Sequence, residues 1–443
     1  NKKICNFVIE KNEGRYIPLK IFYNMKTIYL FILIILPIFI YGQVPYNVYY
    51  GNLHSHTGYS DGEETPTVAF TYARDVALLD FLAVTDHIEQ ISSSEWEDVL
   101  STADNFTVNG SFVAIAGFEW GSPYYGHCNV YNTTNLITEN GWLLFDWSGF
   151  RDWLIANPPA FAQFNHPGDE DYFNNWYDFE YKGPTTDSTF PLIEFQNVQQ
   201  ATDWYELALN NGWHLAPVWN QDNHSANWGT KNDGRAGIWA NYLSRDQLFD
   251  AIMNNRTFAT MDKNAAVWIE MNGFDMGSEI NRTINSSFRV YLSDEDNENW
   301  SSVEIVSSVG GAILTFHNLI GNIDTIITIT PYTDKYLFVR AIQEDGDYIW
   351  SSPIYISGII SDVSDPLNLT FNFYPNPAKD FIYIDNGNFH DCNLLIYSMT
   401  GSLIKEEFLN NKTKIDISDL TNGVYLLVLK NEFISLRAKL IKN

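Results

Sequence analysis

From Val44 to Asp262 the chain alternates short apolar runs with longer stretches of helical period. Asn47–His54, Phe81–Thr85 (FLAVT), Phe112–Phe118 (FVAIAGF), Phe161–Asn165, Leu192–Gln196 and Leu215–Trp219 read as strands, bounded by polar and turn-forming residues. Pro66–Leu79, Ser93–Asn105 and Arg245–Asn254 read as helices, the first with proline in its opening turn. Strands alternating with helices predict a mostly parallel α/β sheet or barrel, and about 215 residues suits a barrel-sized domain.

The texture changes near Ala265. Val267–Met271, Ser287–Leu292, Val303–Val306, Thr325–Ile329 and Tyr336–Ile342 are β-rich runs separated by polar turns. They predict a small β-sandwich over 263–357. Residues 358–370, rich in Ser, Asp and Pro, read as a linker. The tail, 371–443, is a further β unit, with Gly401 and Gly423 at turns between alternating strands.

At the other end, Ile28–Tyr41 is an unbroken apolar run behind Lys26 and before Gly42. It is short for a bilayer span, so 25–42 reads as a secretory signal peptide, with no stable transmembrane anchor. Residues 1–24 precede Met25 and read as non-native upstream sequence.

Of 443 residues, 45% are hydrophobic and 16% aromatic, which supports folded cores rather than long disorder. The formal net charge of −28, without a basic run in the mature region, argues against nucleic acid as a partner. Cys5, Cys128 and Cys392 lie far apart and share no CxxC spacing, so neither a disulfide framework nor thiolate metal ligation is expected.

Histidine is where the sequence becomes specific. Seven of the nine histidines lie between 54 and 224, most of them at the ends of the strands read above. His54 and His56 are two apart, so their side chains share a face. Asp61 follows in an SDG turn. Asp86 and His87 close FLAVT, Glu119 follows FVAIAGF, and His127 stands in GHCNVYN. His166 closes FAQFN, and Asp222 and His224 form DNH. One such residue is ordinarily a hydrogen-bonded structural group. Six strand ends delivering imidazole or carboxylate to one rim point to a polynuclear metal site, because barrel chemistry gathers at the C-terminal ends of strands. Imidazole with carboxylate and no thiolate suits zinc, with manganese or iron as the alternatives, and the donors suffice for two or three divalent ions. Clustered cations give a bridging hydroxide at neutral pH, so no serine or cysteine nucleophile is required.

These residues, in this order, resemble the PHP (polymerase and histidinol phosphatase) superfamily. GHCNVYN and the stretch from DNHSANWG to GRAGIWA resemble its CehA/McbA-like secreted branch. The resemblance covers roughly 47–355 and implies a distorted (β/α)7 barrel, followed here by two small all-β sandwich domains. It implies that His54, His56, Glu119 and Asp222 bind one metal. Glu119 would bridge to a second with His127 and His166, and Asp61, His87 and His224 would bind a third. Asp61 takes a position that is His in some members, which weakens the third site. Asp86 would orient an imidazole, and Arg235 in GRAG would hold an anionic substrate group. His214 matches nothing in the pattern and reads as structural. Trp120, Tyr124 and Tyr125 could form an apolar substrate wall or simply pack.

YPNPAKDFIYI through LTNGVYLLVL resembles the C-terminal sorting domain of the type IX secretion system. That implies passage through the periplasm to the cell surface or medium, with the secretion machinery as a partner. The expectation is an exported metal-dependent hydrolase of small or oligomeric phosphoester, ester or carbamate substrates. The alternative is a surface glycan-binding protein with a structural metal barrel, using Tyr332, Tyr336 and Trp350 of the sandwich.

Overall fold

Each inner strand of the first half is apolar at successive residues because it is covered on both faces. In the computed structural model of the chain, Phe81 and Ala83 face one core cluster while Leu82 and Val84 face the other. Residues 4–9, 17–22, 44–137, 146–170, 173–283, 285–331, 333–358, 372–385, 392–398, 402–409, 414–430 and 435–443 are described by the structure.

The chain divides into two units, Asn1–Pro45 and Tyr46–Asn443. In the first, β1 (Ile4–Ile9) and β2 (Ile17–Phe22) pair antiparallel. The expected signal segment, 25–42, lies outside the described residues. No helix among the described residues is long and apolar enough to cross a membrane.

The second unit begins with β3 (Asn47–Asn52), β4 (Phe81–Val84), β5 (Val113–Ser122), β6 (Gly126–Tyr131), β7 (Phe161–Asn165), β8 (Leu192–Phe195), β9 (Ala216–Trp219), β10 (Arg235–Ala240) and β11 (Thr257–Thr260). Helices Pro66–Asp75, Ser93–Phe106 and Arg245–Met253 lie between them. Their starts are fixed by side-chain caps from Thr65, Ser92 and Ser244, with Glu95 completing a capping box on Ser92. β3, β4 and β5 run parallel, as do β7, β8 and β9. The sheet is nevertheless mixed. β5 continues to Ser122 instead of ending at Phe118 and turns directly into β6, so β6 is antiparallel to both β5 and β7. A connection this short permits no other pairing. Glu119 therefore lies inside a strand, not after one. Beyond the strand ends, a parallel bridge between Ser55 and Asn223 joins the chain after β3 to the chain after β9.

The β-rich region holds β12 (Ala266–Met271), β13 (Phe274–Asp275), β14 (Glu279–Asn281), β15 (Ser286–Ser293), β16 (Trp300–Ser307), β17 (Gly311–Leu319), β18 (Ile323–Ile329), β19 (Tyr336–Gln343), β20 (Tyr348–Ser351) and β21 (Ile354–Ser357). β13, β12, β15 and β18 form a sheet of their own. The others extend the main sheet, because β20 pairs with β11 from Phe258↔Ser351 to Thr260↔Ile349. The glycan-binding alternative finds no support here. Tyr336 and Trp350 are each 1% exposed, since both pack inward as core aromatics, and Tyr332 lies outside the described residues. Most of the linker segment does too. The tail forms a three-stranded and a four-stranded sheet around Ile382, Leu394, Ile396, Leu427 and Leu440.

Candidate metal centre

His54, His56, Asp61, His87, Glu119, His127, His166, Asp222 and His224 all converge on one cluster. Four sets of them bring ligand atoms close enough to share a cation: His54/His56/Glu119, Glu119/His127/His166, His56/Asp61/His87/His224 and His54/His166/Asp222.

The first pair is placed by the end of β3. His56 N donates to Asn223 O at 2.9 Å, which docks the HSH segment against DNH. Gly62 makes the following turn fit, since a Cβ there would lie 2.6 Å from the carbonyl carbon of His56. β5 carries Glu119, and β6 presents His127 beside it. His166 directly follows β7, and the segment after β9 gives Asp222 and His224. His166 (φ 28°) and Asp222 (φ 43°) both hold left-handed backbone conformations. Such conformations cost about 1–3 kcal/mol each and persist at functional sites where the surroundings impose them.

Glu119 is the hub. It is 1% exposed, and its Oε1 lies 3.4 Å from His54 Nε2, 3.3 Å from His127 Nδ1 and 3.5 Å from His166 Nε2. Its Oε2 lies 3.1 Å from His87 Nδ1 and 3.5 Å from His56 Nε2. Asp222 Oδ1 is 3.2 Å from His54 Nε2 and 3.0 Å from His56 Nε2. Asp61 lies farther out, 3.3 Å from His224 Nε2 and 3.5 Å from His87 Nε2. At 43% and 40% side-chain exposure, Asp61 and His224 make the wettest corner of the cluster.

The residues fit a cation. His54 Nδ1 donates to Glu194 Oε1 at 2.8 Å, so a neutral His54 carries its lone pair on Nε2. That nitrogen faces His56 Nε2 at 3.2 Å and two carboxylate oxygens. His166 Nδ1 is buried without a hydrogen bond, and Asp222 Oδ1 and His87 Nδ1 have only other members of the cluster within hydrogen-bond reach. Lone pairs converging in a buried space repel one another unless positive charge sits between them. With protons as the only cations, burial opposes the charged form of His54. The Glu194, Asp222 and Glu119 carboxylates outweigh it and hold the imidazole well above its ordinary pKa. Burial likewise opposes charge on Glu119, yet His54 and His127 keep its carboxyl well below the usual range.

Glu194 was missed in the sequence. It is fully buried in β8 and accepts from His54 Nδ1, from His166 N at 2.9 Å and from Gln196 Nε2 at 3.2 Å. Asn165 was missed too, and its Nδ2 donates to Glu119 Oε1 at 2.7 Å. The one signal that could have found Glu194 is a lone carboxylate inside an apolar run, and it carries no motif spacing.

Two expected roles change. Asp86 touches no imidazole. It accepts from Thr57 N and Thr57 Oγ1, both at 2.7 Å, and from Ser60 Oγ at 2.6 Å. It fixes the loop between His56 and Asp61, because its short side chain at the end of β4 reaches only that loop. Arg235 does not line the cavity above the cluster. It is 6% exposed, and its Nη1 donates to the backbone oxygens of Asn232 and Gly234, so the guanidinium braces its own loop. Trp120 packs on Phe150 with ring centroids 4.2 Å apart, and Tyr124 points outward at 67% exposure. Tyr125 meets Tyr177, hydroxyl to hydroxyl, at 3.2 Å. His214 lies apart from the cluster and pairs with Asp187 at 2.7 Å.

Fold and site together define a mixed α/β protein with a buried cluster of imidazoles and carboxylates that could hold metal, and a β-rich C-terminal half. Residues 372–443 match the family described as the secretion system C-terminal sorting domain. The protein is thus one that the type IX system exports to the cell surface or beyond. No curated protein sequence matches the chain. Among solved structures, one similar to it is a two-domain protein from Bacteroides vulgatus ATCC 8482 containing a predicted PHP-like metal-dependent phosphoesterase. That likeness covers 71% of this chain and 96% of that one, at 17% identity and a TM-score of 0.40. SGBP-B of the Bacteroides ovatus mixed-linkage glucan utilization locus, solved with a mixed-linkage heptasaccharide, is similar over 42% of this chain and 62% of its own. The identity is 11% and the TM-score 0.16.

Proposed function

We propose that the protein is an exported metal-dependent hydrolase that adds water across a phosphoester, carboxylic ester or carbamate bond. The observation that carries this reading is the meeting of His54 Nε2, His56 Nε2 and Asp222 Oδ1 within 3.0–3.2 Å of one another, with Glu119 alongside. β3 to β9 are read as a distorted seven-stranded barrel closed at the Ser55–Asn223 bridge, and the GHCNVYN segment on β6 favours the CehA/McbA-like branch.

His54, His56, Glu119 and Asp222 would hold one cation, and Glu119 with His127 and His166 a second. Asp61, His87 and His224 would hold a third, weaker for its exposure. Imidazole with carboxylate suits zinc first, then manganese or iron. Such cations supply Lewis acidity to the bond under attack and lower the pKa of water toward about 7. The chain's own contribution is positional. Glu194 holds the His54 ring and its tautomer, Asn165 holds Glu119, and Asp86 holds the loop from Thr57 to Ser60.

The test is elemental analysis with a screen of aryl phosphates, phosphodiesters, aryl esters and carbamates. Wild type is expected to carry metal and turn over one of these classes. His54→Ala and Asp222→Ala are expected to lose metal and at least about a hundredfold in turnover, with circular dichroism unchanged. A metal-loaded wild type inert on every class sinks the reading.

A further inference from the structure

Above the cluster lies a cavity of about 430 Å³. Beyond the candidate ligands its wall contains Glu89, Asp169, Glu170 and Phe173. No lysine or arginine lines it among the described residues. The sequence explains this. The segments 55–65, 86–92, 119–127 and 166–180, which follow the strand ends around the cluster, contain neither residue. Two cations come close in the chain, and neither is part of the lining. Lys231 Nζ donates to the backbone oxygens of Gln221 at 2.7 Å and Asp222 at 3.4 Å, and Arg235 braces its own loop.

Two regions of opposite sign therefore share one cavity. At the floor, divalent cations would outweigh the Asp61, Glu119 and Asp222 carboxylates and draw the electron-rich oxygen of the reacting bond. His166, 5% exposed with Nδ1 unpartnered, and Asp222, whose Oδ1 faces the His54 and His56 imidazoles, belong to this floor. At the wall, Glu89, Asp169 and Glu170 repel a second anionic group, and sites for polyanions use Arg and Lys clamps that this wall lacks. A carboxylate pair beside an aromatic face is instead the chemistry that receives an ammonium group. Phe173, ring centroid 5.2 Å from that of His127, supplies such a face next to the floor. The chain's net charge of −28 steers the same class of ligand.

Resting on the hydrolase reading, we propose that the natural substrate carries a positive charge, an amine or quaternary ammonium, on the part that lies away from the scissile bond. Phosphomonoesters and other substrates with a second anionic group are excluded by the wall. Glu89, Asp169 and Glu170 are the specificity-determining residues.

The test uses the metal-loaded full chain and three esters of the bond class it hydrolyses. They share one leaving group and differ only in an ammonium, neutral or carboxylate substituent of equal length. The ammonium ester is expected to exceed the carboxylate ester in kcat/KM by about tenfold or more, with the neutral one between. In Glu89→Gln/Asp169→Asn/Glu170→Gln the order collapses, while elemental analysis shows the metal retained. A second readout needs no turnover. Benzyltrimethylammonium binding, measured by calorimetry with metal-free and metal-loaded protein, is expected to weaken about tenfold in the triple variant. If every ester is inert, the hydrolase reading falls while calorimetry still decides the charge preference. If esters are hydrolysed with the carboxylate member preferred, or if cation binding ignores the triple variant, the charge proposal is overturned and the hydrolase reading stands.

Discussion

Glu194 is fully buried in a four-residue strand and touches two of the candidate ligands, the ring of His54 and the backbone of His166. A carboxylate behind a ligating imidazole raises its basicity and fixes its orientation. Glu194→Gln should lower metal affinity by about 10–100-fold in a chelator-competition titration, and unchanged affinity would count against the role. His214 offers a contrasting pair away from the cluster. Its hydrogen bond to Asp187 raises its pKa from 6.5 against the pull of burial. A raised folded-state pKa contributes stability that is complete below about 6.5 and lost as pH rises through the folded-state value. His214→Gln should therefore destabilise more near pH 5.5 than near pH 9, read from denaturation midpoints, and an equal loss at both would contradict the pairing. At this scale much of the cluster was legible because His-x-His and Asp-x-His spacings put two side chains on one face. Glu194 was not, since one carboxylate in an apolar run has no spacing to announce it. Arg235 misled because a sequence shows a cation near a site but not the backbone oxygens that occupy it.

At the scale of elements, β6 shows what periodicity leaves out. GHCNVY has too few apolar positions to declare itself, and it becomes a strand only because β5 and β7 supply its hydrogen bonds. That pairing places His127 beside Glu119. The strands β4, β7, β8 and β9 were legible because burial on both faces demands mostly apolar runs. β20 couples the two halves of the molecule. Trp350 is 1% exposed, lies parallel to Trp219 at 6.1 Å and meets Phe195 edge-on at 5.5 Å. Trp219 ends β9, the strand that leads to Asp222. Trp350→Ala should cost about 3–5 kcal/mol in chemical denaturation, the usual range for emptying a buried indole site. A loss below about 1 kcal/mol would mean that β20 packs as an appendage.

For the whole molecule, composition separated an α/β half from a β-rich remainder, but not the continuous sheet that β11 and β20 make between them. Sheet continuation of this kind depends on pairing between strands about 90 residues apart, and local pattern does not encode it. The tail was legible from its motifs, and its strands among the described residues close around their own core. Removing 372–443 should abolish export in cell fractionation while the purified remainder keeps its metal; loss of metal on truncation would tie the tail to the centre. A polynuclear cation site formed by His54, His56, Glu119 and Asp222 with their neighbours is read out by metal stoichiometry in elemental mass spectrometry. Two or three equivalents per chain are expected in wild type, falling below one in His54→Ala and Asp222→Ala. A folded wild type that takes up no divalent metal, or variants that retain the full complement, would contradict it.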